Sequence, residues 1–264
     1  MAKIGIIGCG NMGEALLTGM LGSISPSDIT FFELNDERAT YISQKYNVSR
    51  STSIANTASS SYLLLCVKPD GIVPVITEIK NHGLTKQVLI SIAAGVSLQK
   101  MQSAAGSNAK IIRTMPNTPA LLKKGVTAIA QNGNLSTDEM NFALNIFSSV
   151  GEVIQLDERH FDAVTGLSGS GPAYVYLFIY SLMQAGIHEG LTADVSKKLA
   201  VETIIGAAEM VKNSDEHPSS LIDKVSSPGG TTIRALASFE KDGFKDSVIN
   251  AVKAAAHRSR EFSN

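Results

Sequence analysis

An excess of either charge is what this sequence most plainly lacks: 23 lysines and arginines face 24 acidic residues, a formal net charge of -1 over 264 residues. Without a basic surplus there is no electrostatic footprint for nucleic acid or an anionic membrane, and neither is expected as a partner. Long apolar runs are also missing. None reaches the roughly 18 residues of a spanning helix, and the strand pattern that opens at Ile4 leaves no room for a signal peptide, so a cytoplasmic protein is expected. Cysteine occurs only twice. Cys9 and Cys66 have no metal-ligand spacing, and each falls where a small apolar residue suits a strand or its end, so both read as packing residues rather than catalytic thiols. The histidines, His82, His160, His188, His217 and His257, form no HxxxH or similar pair, and no metal site is expected. His217 is expected at a helix end, and His160 as a packed or capping residue.

What is present is apolar material. Hydrophobic residues make up 44% of the chain, enough to bury the core of one large domain or two modest ones. The stretch on which the rest is organised comes first. Ile4 to Ile7 reads as a short buried strand, Gly8-Cys9-Gly10-Asn11-Met12-Gly13 as a glycine-punctuated turn, and Glu14 to Leu17 as the start of an apolar-periodic helix. Gly8 permits the tight turn, Gly10 lets backbone approach a pyrophosphate, and Gly13 lets the helix pack closely on the sheet. The unpaired N–H groups at the helix start, with the positive end of its dipole, attract an anion before any side chain is counted. Glu33, twenty positions past Gly13 at the end of a second apolar run, completes the pattern of a dinucleotide site.

Downstream, strand and helix patterns alternate. Strands are expected near Asp28–Glu33, Ser61–Val67, Gln87–Ile92, Lys110–Thr114, Val126–Ala130 and Val153–Leu156. Helices are expected near Asn35–Tyr46, Ile72–Asn81, Leu98–Ala105 and Ser136–Ser149, with Ser136 or Thr137 as the last helix's cap. This is the doubly wound α/β plan. After Asp157 no clear strand pattern recurs and helices take over, which divides the chain into a dinucleotide-binding domain, 1–157, and a helical domain, 158–264. Within the latter, Ala173–Glu189 is apolar on nearly every face, more than so small a domain encloses alone. A subunit interface is therefore expected there, and with it an obligate dimer or larger assembly.

A second glycine turn, Ser226-Ser227-Pro228-Gly229-Gly230-Thr231-Thr232, lies between two of these helices. Its glycines allow N–H groups to converge on one point, and Thr231 or Thr232 can cap the following helix or present a hydroxyl outward. A carboxylate suits such a turn, and so does a plain capped connection.

Five segments taken together resemble pyrroline-5-carboxylate reductase: Gly8–Gly13, Val67-Lys68-Pro69, Arg113–Pro119, Ser168–Tyr174 and Val225–Thr232, in order along nearly the whole chain. The resemblance implies NAD(P)H-dependent reduction of the cyclic imine 1-pyrroline-5-carboxylate to L-proline, the last step of proline biosynthesis. It implies homo-oligomers built from dimers through the helical domain. It also implies that Gly8, Cys9, Gly10, Asn11, Met12 and Gly13 hold the cofactor pyrophosphate, and that Val67, Lys68, Pro69, Ala93, Ala94 and Gly95 line the cofactor cleft. Glu33, Asn35 and Ser53 fall on its adenosine side. The substrate falls to Ser227, Gly229, Gly230, Thr231 and Thr232, whose backbone amides would hold its carboxylate while the Thr232 hydroxyl meets the ring nitrogen. Asp215 is a further substrate-side position. Two residues depart from the pattern: Ser53 stands where family members often have Asn, and Asp215 where many have Glu. Glu33 favours a ribose diol and hence NADH, whereas the family commonly uses NADPH and Asn35 and Arg38 are close enough in sequence to reshape that corner, so both nucleotides stay open.

The competing readings are another imine reductase, a β-hydroxyacid dehydrogenase of the same two-domain plan, or a dinucleotide-sensing regulatory protein. Alcohol oxidation needs a base for the hydroxyl proton, typically a lysine on the long helix after the sheet domain. Ser168 to Gly190 contains no lysine, which favours imine reduction.

Overall fold

The computed structural model describes residues 3–83 and 86–263. Its order begins β1 (Ile4–Ile7), α1 (Asn11–Met20), β2 (Ile29–Phe32), α2 (Asp36–Tyr46), β3 (Ser49–Arg50), α3 (Ile54–Thr57) and β4 (Tyr62–Leu65). It continues with α4 (Pro69–Asn81), β5 (Val88–Ser91), α5 (Leu98–Ala105), β6 (Lys110–Met115), β7 (Gly125–Gln131), α6 (Thr137–Ser148) and β8 (Gly151–Gln155). The remainder is helical: α7 (Phe161–Val164), α8 (Gly171–His188), α9 (Ala193–Lys212), α10 (Pro218–Lys224), α11 (Thr231–Lys241) and α12 (Phe244–Ser263).

The strands form one eight-stranded sheet in the order β3-β2-β1-β4-β5-β6-β7-β8. Pairing is parallel from β3 through to β6. The strands read as continuous apolar runs because helices cover both faces. Ile4, Ile6, Phe31 and Ile90 pack on one face with Leu16 and Leu17 of α1. Ile7, Leu63, Leu65 and Leu89 pack on the other with Ile72 and Ile76 of α4 and Met101 of α5. A doubly wound sheet followed by helices is thus the architecture.

Three features go beyond the sequence pattern. β7 runs antiparallel to β6, because the proline-bearing 3₁₀ segment Thr118–Leu122 that joins them is too short for the crossover a parallel return needs. β3 and α3 are two and four residues long, too short to show a period. At α6 the cap is Ser136: its Oγ accepts from Glu139 N–H while the Glu139 carboxylate accepts from the Ser136 backbone.

The chain divides into two compact units, the first running through Ser170 and taking in the segment from Ala254, the second Gly171–Lys253. The division at 157/158 expected from composition falls inside the first unit. Residues just past it are tied to the sheet: Glu158 accepts from Leu98 N–H at 2.6 Å and from the Arg113 guanidinium at 2.7 Å. Phe161 is buried in the core, and Asn117 Nδ2 donates to the Ser168 carbonyl at 3.1 Å. Among the described residues, no helix is long and apolar enough to cross a membrane.

In the second unit none of the α8 side chains is buried, and Tyr176 and Leu177 are 61% and 66% exposed. A groove of about 600 Å³ runs through this unit between Tyr174, Leu177 and Phe178 of α8, Ile204 and Val211 of α9, and Phe244 of α12.

Candidate functional site

Parallel register brings the carboxyl ends of β1, β2, β4 and β5 to one edge of the sheet, with Ile7 beside Phe32 and Leu65, and Leu65 beside Ser91. The strand order reverses between β1 and β4, the switch point at which open α/β sheets leave a crevice for a ligand. The residues that follow these four strands are Gly8–Gly13, Glu33–Asn35, Val67–Pro69 and Ala93–Gly95. Thus one edge gathers most of the cofactor-side residues expected from the sequence.

The three glycines of the first loop do different things. Gly8 sits at φ +86°, and a β-carbon there would also press on Cys66 O at 2.9 Å and on Val67 Cγ1 at 3.0 Å. Gly13 is closed off by the Gly8 carbonyl, 2.7 Å from where its β-carbon would stand. Around Gly10 there is nothing within 4 Å of that position. Gly10 is also the N-cap of α1 and offers no capping side chain, so the helix's first amides are left for another acceptor. An open glycine beside uncapped amides at a helix start is the shape and charge a pyrophosphate requires.

Cys9, between the two glycines, is held from both sides. Its N–H donates to Glu33 Oε2 at 2.8 Å, and its carbonyl accepts from Arg38 Nε at 2.8 Å. Glu33 Oε1 accepts from Asn35 N–H at 3.0 Å, so the carboxylate spans the ends of β1 and β2. Asn35 caps α2 through Oδ1, which accepts from Arg38 N–H at 2.8 Å. Ser53 caps α3 in the same way, its Oγ accepting from Asn56 N–H at 3.2 Å. Cys9 is buried in the core on the α1 face of the sheet and Cys66 packs against that cluster; burial pushes the Cys9 thiol up to about 12, and burial with the neighbouring Cys9 pushes Cys66 further still.

Glu14, which sequence reasoning passed over, is the hub on the outer side of this loop. Its carboxylate accepts from Arg38 at 2.5 Å, from Tyr46 at 2.6 Å and from Lys45 at 3.1 Å. Burial works to raise this carboxyl, but hydrogen bonds from Tyr46, Lys45 and Arg38, with the charge of Arg38, outweigh it and hold Glu14 at about 2. The signal was present in the spacing of Arg38, Tyr41, Lys45 and Tyr46, which share one face of α2.

On the neighbouring strand ends, Lys68 is the N-cap of α4 and Pro69 its first residue. Ala93 is buried, its N–H donating to Ser91 Oγ at 3.3 Å. Gly95 adopts φ +74°, and its α-carbon faces Phe262, whose Cβ would stand 2.7 Å from a side chain there. A further motif residue missed as a contributor is Asn117. It ties Val126 N–H (2.9 Å) to the Ser168 carbonyl (3.1 Å), steadying a π-helical turn, Thr165–Gly169.

In the second unit, the turn before α11 is built around Gly229 at φ +70° and a Gly230 N–H that donates to Ser227 O at 3.0 Å. The Ser227 hydroxyl lies against Gly230, where a β-carbon would strike it. The N-cap of α11 is Gly230 and not a threonine. Thr231 and Thr232 are therefore the first two helical residues, with no capping duty to occupy their hydroxyls. Their amides head the helix alongside the Gly230 backbone, a second anion-accepting end. Asp215 lies exposed in the α9–α10 connection, and among the described residues no hydrogen bond or ion pair joins it to this turn. His217 is the N-cap of α10, its Nδ1 accepting from Ser219 N–H. Among the described residues no cluster of His, Cys, Asp and Glu could hold a metal ion.

Comparison with known proteins bears on both units. Residues 158–262 match the family model for pyrroline-5-carboxylate reductase dimerisation, and residues 3–95 match that for coenzyme F420-dependent NADP oxidoreductase. The chain is 44% identical to a pyrroline-5-carboxylate reductase of Synechocystis over 98% of its own length and 97% of the relative's. It is 36% identical to that of Escherichia coli over 99% and 98%. Among solved structures, the Plasmodium falciparum pyrroline carboxylate reductase with NADP bound is similar at TM-score 0.91 and 36% identity, covering 100% of this chain and 98% of that one. The Coxiella burnetii pyrroline-5-carboxylate reductase is similar at TM-score 0.92 and 31% identity, over 100% and 99%.

Proposed function

The chain belongs to the pyrroline-5-carboxylate reductase family, and from that premise we propose how its residues carry out the reaction, the NAD(P)H-dependent reduction of 1-pyrroline-5-carboxylate to L-proline. The observation that carries this reading is the pair of anion-accepting helix starts, one at Gly10 before α1 and one at Gly230 before α11, each headed by a glycine with no capping side chain.

On this reading the amides at the start of α1 hold the cofactor pyrophosphate against the open side of Gly10. The loops Val67–Pro69 and Ala93–Gly95 line the same cleft, and Glu33, Asn35 and Ser53 lie on its adenosine side. Bound NAD(P)H supplies a hydride. Backbone amides of the Ser227–Thr232 turn other than that of Gly230, which donates to Ser227 O, receive the substrate carboxylate, which a neutral hydroxyl alone would hold poorly. Thr232 Oγ1 accepts from the protonated ring nitrogen, keeping the imine in its electrophilic iminium form. Asp215 is a further substrate-side position, with a shorter reach than the glutamate many family members carry there.

An iminium carbon needs neither a nucleophile nor a strong acid from the protein. What remains is placement, and a well-oriented pair of reactants gains effective molarities of about 10⁵–10⁸ M. The rigidity of the Cys9 peptide, clamped by Glu33 and Arg38, serves that need on the cofactor side.

The protein is a homo-oligomer, and we assign its subunit contact to the exposed apolar face of α8 and the groove beside it, since an apolar patch of this kind is unusual on a free surface. We place the enzyme in the cytoplasm, in keeping with two free cysteines and a demand for reduced nicotinamide nucleotide. The test is consumption of NAD(P)H on addition of 1-pyrroline-5-carboxylate, with L-proline identified as product. Turnover of a β-hydroxyacid with NAD(P)⁺, and none of the imine, would overturn the assignment.

A further inference from the structure

The corner of the cleft beside the ends of β1 and β2 carries a charge arrangement that bears on which nicotinamide nucleotide is taken. NADPH differs from NADH only by a phosphate on the adenosine ribose, so discrimination between them is a matter of what meets that 2′ position. A carboxylate accepts hydrogen bonds from a ribose diol and repels a 2′-phosphate.

Glu33 is not a loose side chain at this corner. Its two oxygens are fixed by Cys9 N–H at 2.8 Å and Asn35 N–H at 3.0 Å, and each oxygen keeps a lone pair for a further donor. The Cys9 amide belongs to the glycine loop itself. The carboxylate is thus held beside the pyrophosphate-accepting turn, at a backbone position that the nucleotide must pass.

The cations nearby are already spoken for. Arg38 donates through Nε to Cys9 O at 2.8 Å and through its terminal nitrogen to Glu14 at 2.5 Å. Arg50 is bonded to Asp36 Oδ1 at 2.5 Å and reaches the Glu33 carbonyl at 3.4 Å. Lys45 is shared between Glu14 and the Tyr41 hydroxyl. The start of α2, which could otherwise receive a phosphate, is capped by Asn35 and carries Asp36 and Glu37 in its first turn. Leu34, between Glu33 and Asn35, offers no donor from its side chain and is 84% exposed.

We infer that Glu33 makes this enzyme select NADH over NADPH, with Asp36 reinforcing the choice by withholding Arg50 from a 2′-phosphate. The inference rests on the proposed cofactor cleft and names which nucleotide that cleft takes.

The test is equilibrium binding by calorimetry to the full-length protein, without imine, using NADH, NADPH, ADP-ribose and 2′-phospho-ADP-ribose. The wild type is expected to bind each unphosphorylated ligand at least about tenfold more tightly than its 2′-phosphorylated counterpart, one unscreened like-charge contact being of that size. Glu33→Ser should shrink that ratio even where loosening of the glycine loop weakens all four ligands. Asp36→Ala lies on the exposed start of α2 and should raise affinity for the phosphorylated pair relative to the other. Equal or tighter binding of NADPH by the wild type, or an unchanged ratio in Glu33→Ser, would overturn the inference while leaving the cofactor cleft intact. An unchanged ratio in Asp36→Ala would remove Asp36 and Arg50 from it. Binding of none of the four would overturn the cleft, and this inference with it.

Discussion

A β-carbon on Gly13 would stand 2.7 Å from the carbonyl oxygen of Gly8, so α1 and the strand end that feeds it touch backbone to backbone. That contact sets where the first amides of α1 point. Gly13→Ala forces the helix off the sheet at a cost of about 1–3 kcal/mol, the usual penalty for overpacking. The expected outcome is a lowered melting temperature together with nucleotide affinity reduced at least severalfold, read by calorimetry. Gly10→Ala provides the contrast. Its β-carbon meets no protein atom within 4 Å, so stability should hold while nucleotide affinity falls.

The Glu14 hub gives a pH dependence of definite sign. Its carboxyl lies at about 2 in the fold against 4.5 as the reference value, so its contribution is fully present above about pH 4.5 and is lost as pH falls toward 2. The amount at stake is on the order of 3 kcal/mol, for a side chain only 14% exposed. Glu14→Gln should flatten the stability profile over that acid window in denaturant titrations. An unaltered slope would show that the hub holds no proton-linked stability.

Arg113 and Glu158 join β6 to the segment that follows β8. The guanidinium is 5% exposed, stacked 4.8 Å from the Phe161 ring, and bonded to Glu158 at 2.7 Å. Removing the acid in Glu158→Ala leaves a buried cation without its counter-charge and also frees the Leu98 amide. A loss on the order of 3 kcal/mol is expected, measured by urea unfolding. Replacing the arginine as well, in Arg113→Met with Glu158→Ala, should recover part of it.

Leu177 on α8 is 66% exposed in the isolated chain. Leu177→Asp should shift the protein to a smaller species in light scattering without loss of helix content by circular dichroism. An unchanged mass would move the subunit contact elsewhere.

How much of this was legible beforehand follows from what each element shows in sequence. β1, β4 and β5 are buried on both faces and read as apolar runs, and the glycine loop announces itself by the change of period from Ile7 to Leu17. β3 and α3 are too short for any period to register. The reversed direction of β7 depends on the length of a connection rather than on the strand's own residues. Within the site, Glu33 was identifiable by position, but its partnership with the Cys9 amide is a contact across 24 residues that no local pattern encodes. For Glu14 the spacing of Arg38, Tyr41, Lys45 and Tyr46 on α2 shows a shared polar face, but not that the acid they meet stands on α1, 24 residues from Arg38. At the second glycine turn, the sequence allowed a threonine cap, and the backbone assigns that place to Gly230 instead.

Thr232 heads the proposed contact to the reacting group. Thr232→Ala should lower turnover of the imine by about 10²-fold, the size seen when one donor or acceptor at a reacting centre is lost, while nucleotide affinity is kept. Thr232→Ser should restore most of the rate. Unchanged turnover in the alanine variant would remove Thr232 from the mechanism.

The central claim is direct hydride delivery to the carbon of a cyclic imine, and isotope transfer tests it most closely. With reduced nicotinamide nucleotide deuterated on the transferring face of its C4 position and 1-pyrroline-5-carboxylate as acceptor, mass and NMR spectra of the product should show L-proline with one deuterium on its δ-carbon. Proline without that label, or no proline while the nucleotide is consumed, would contradict the account.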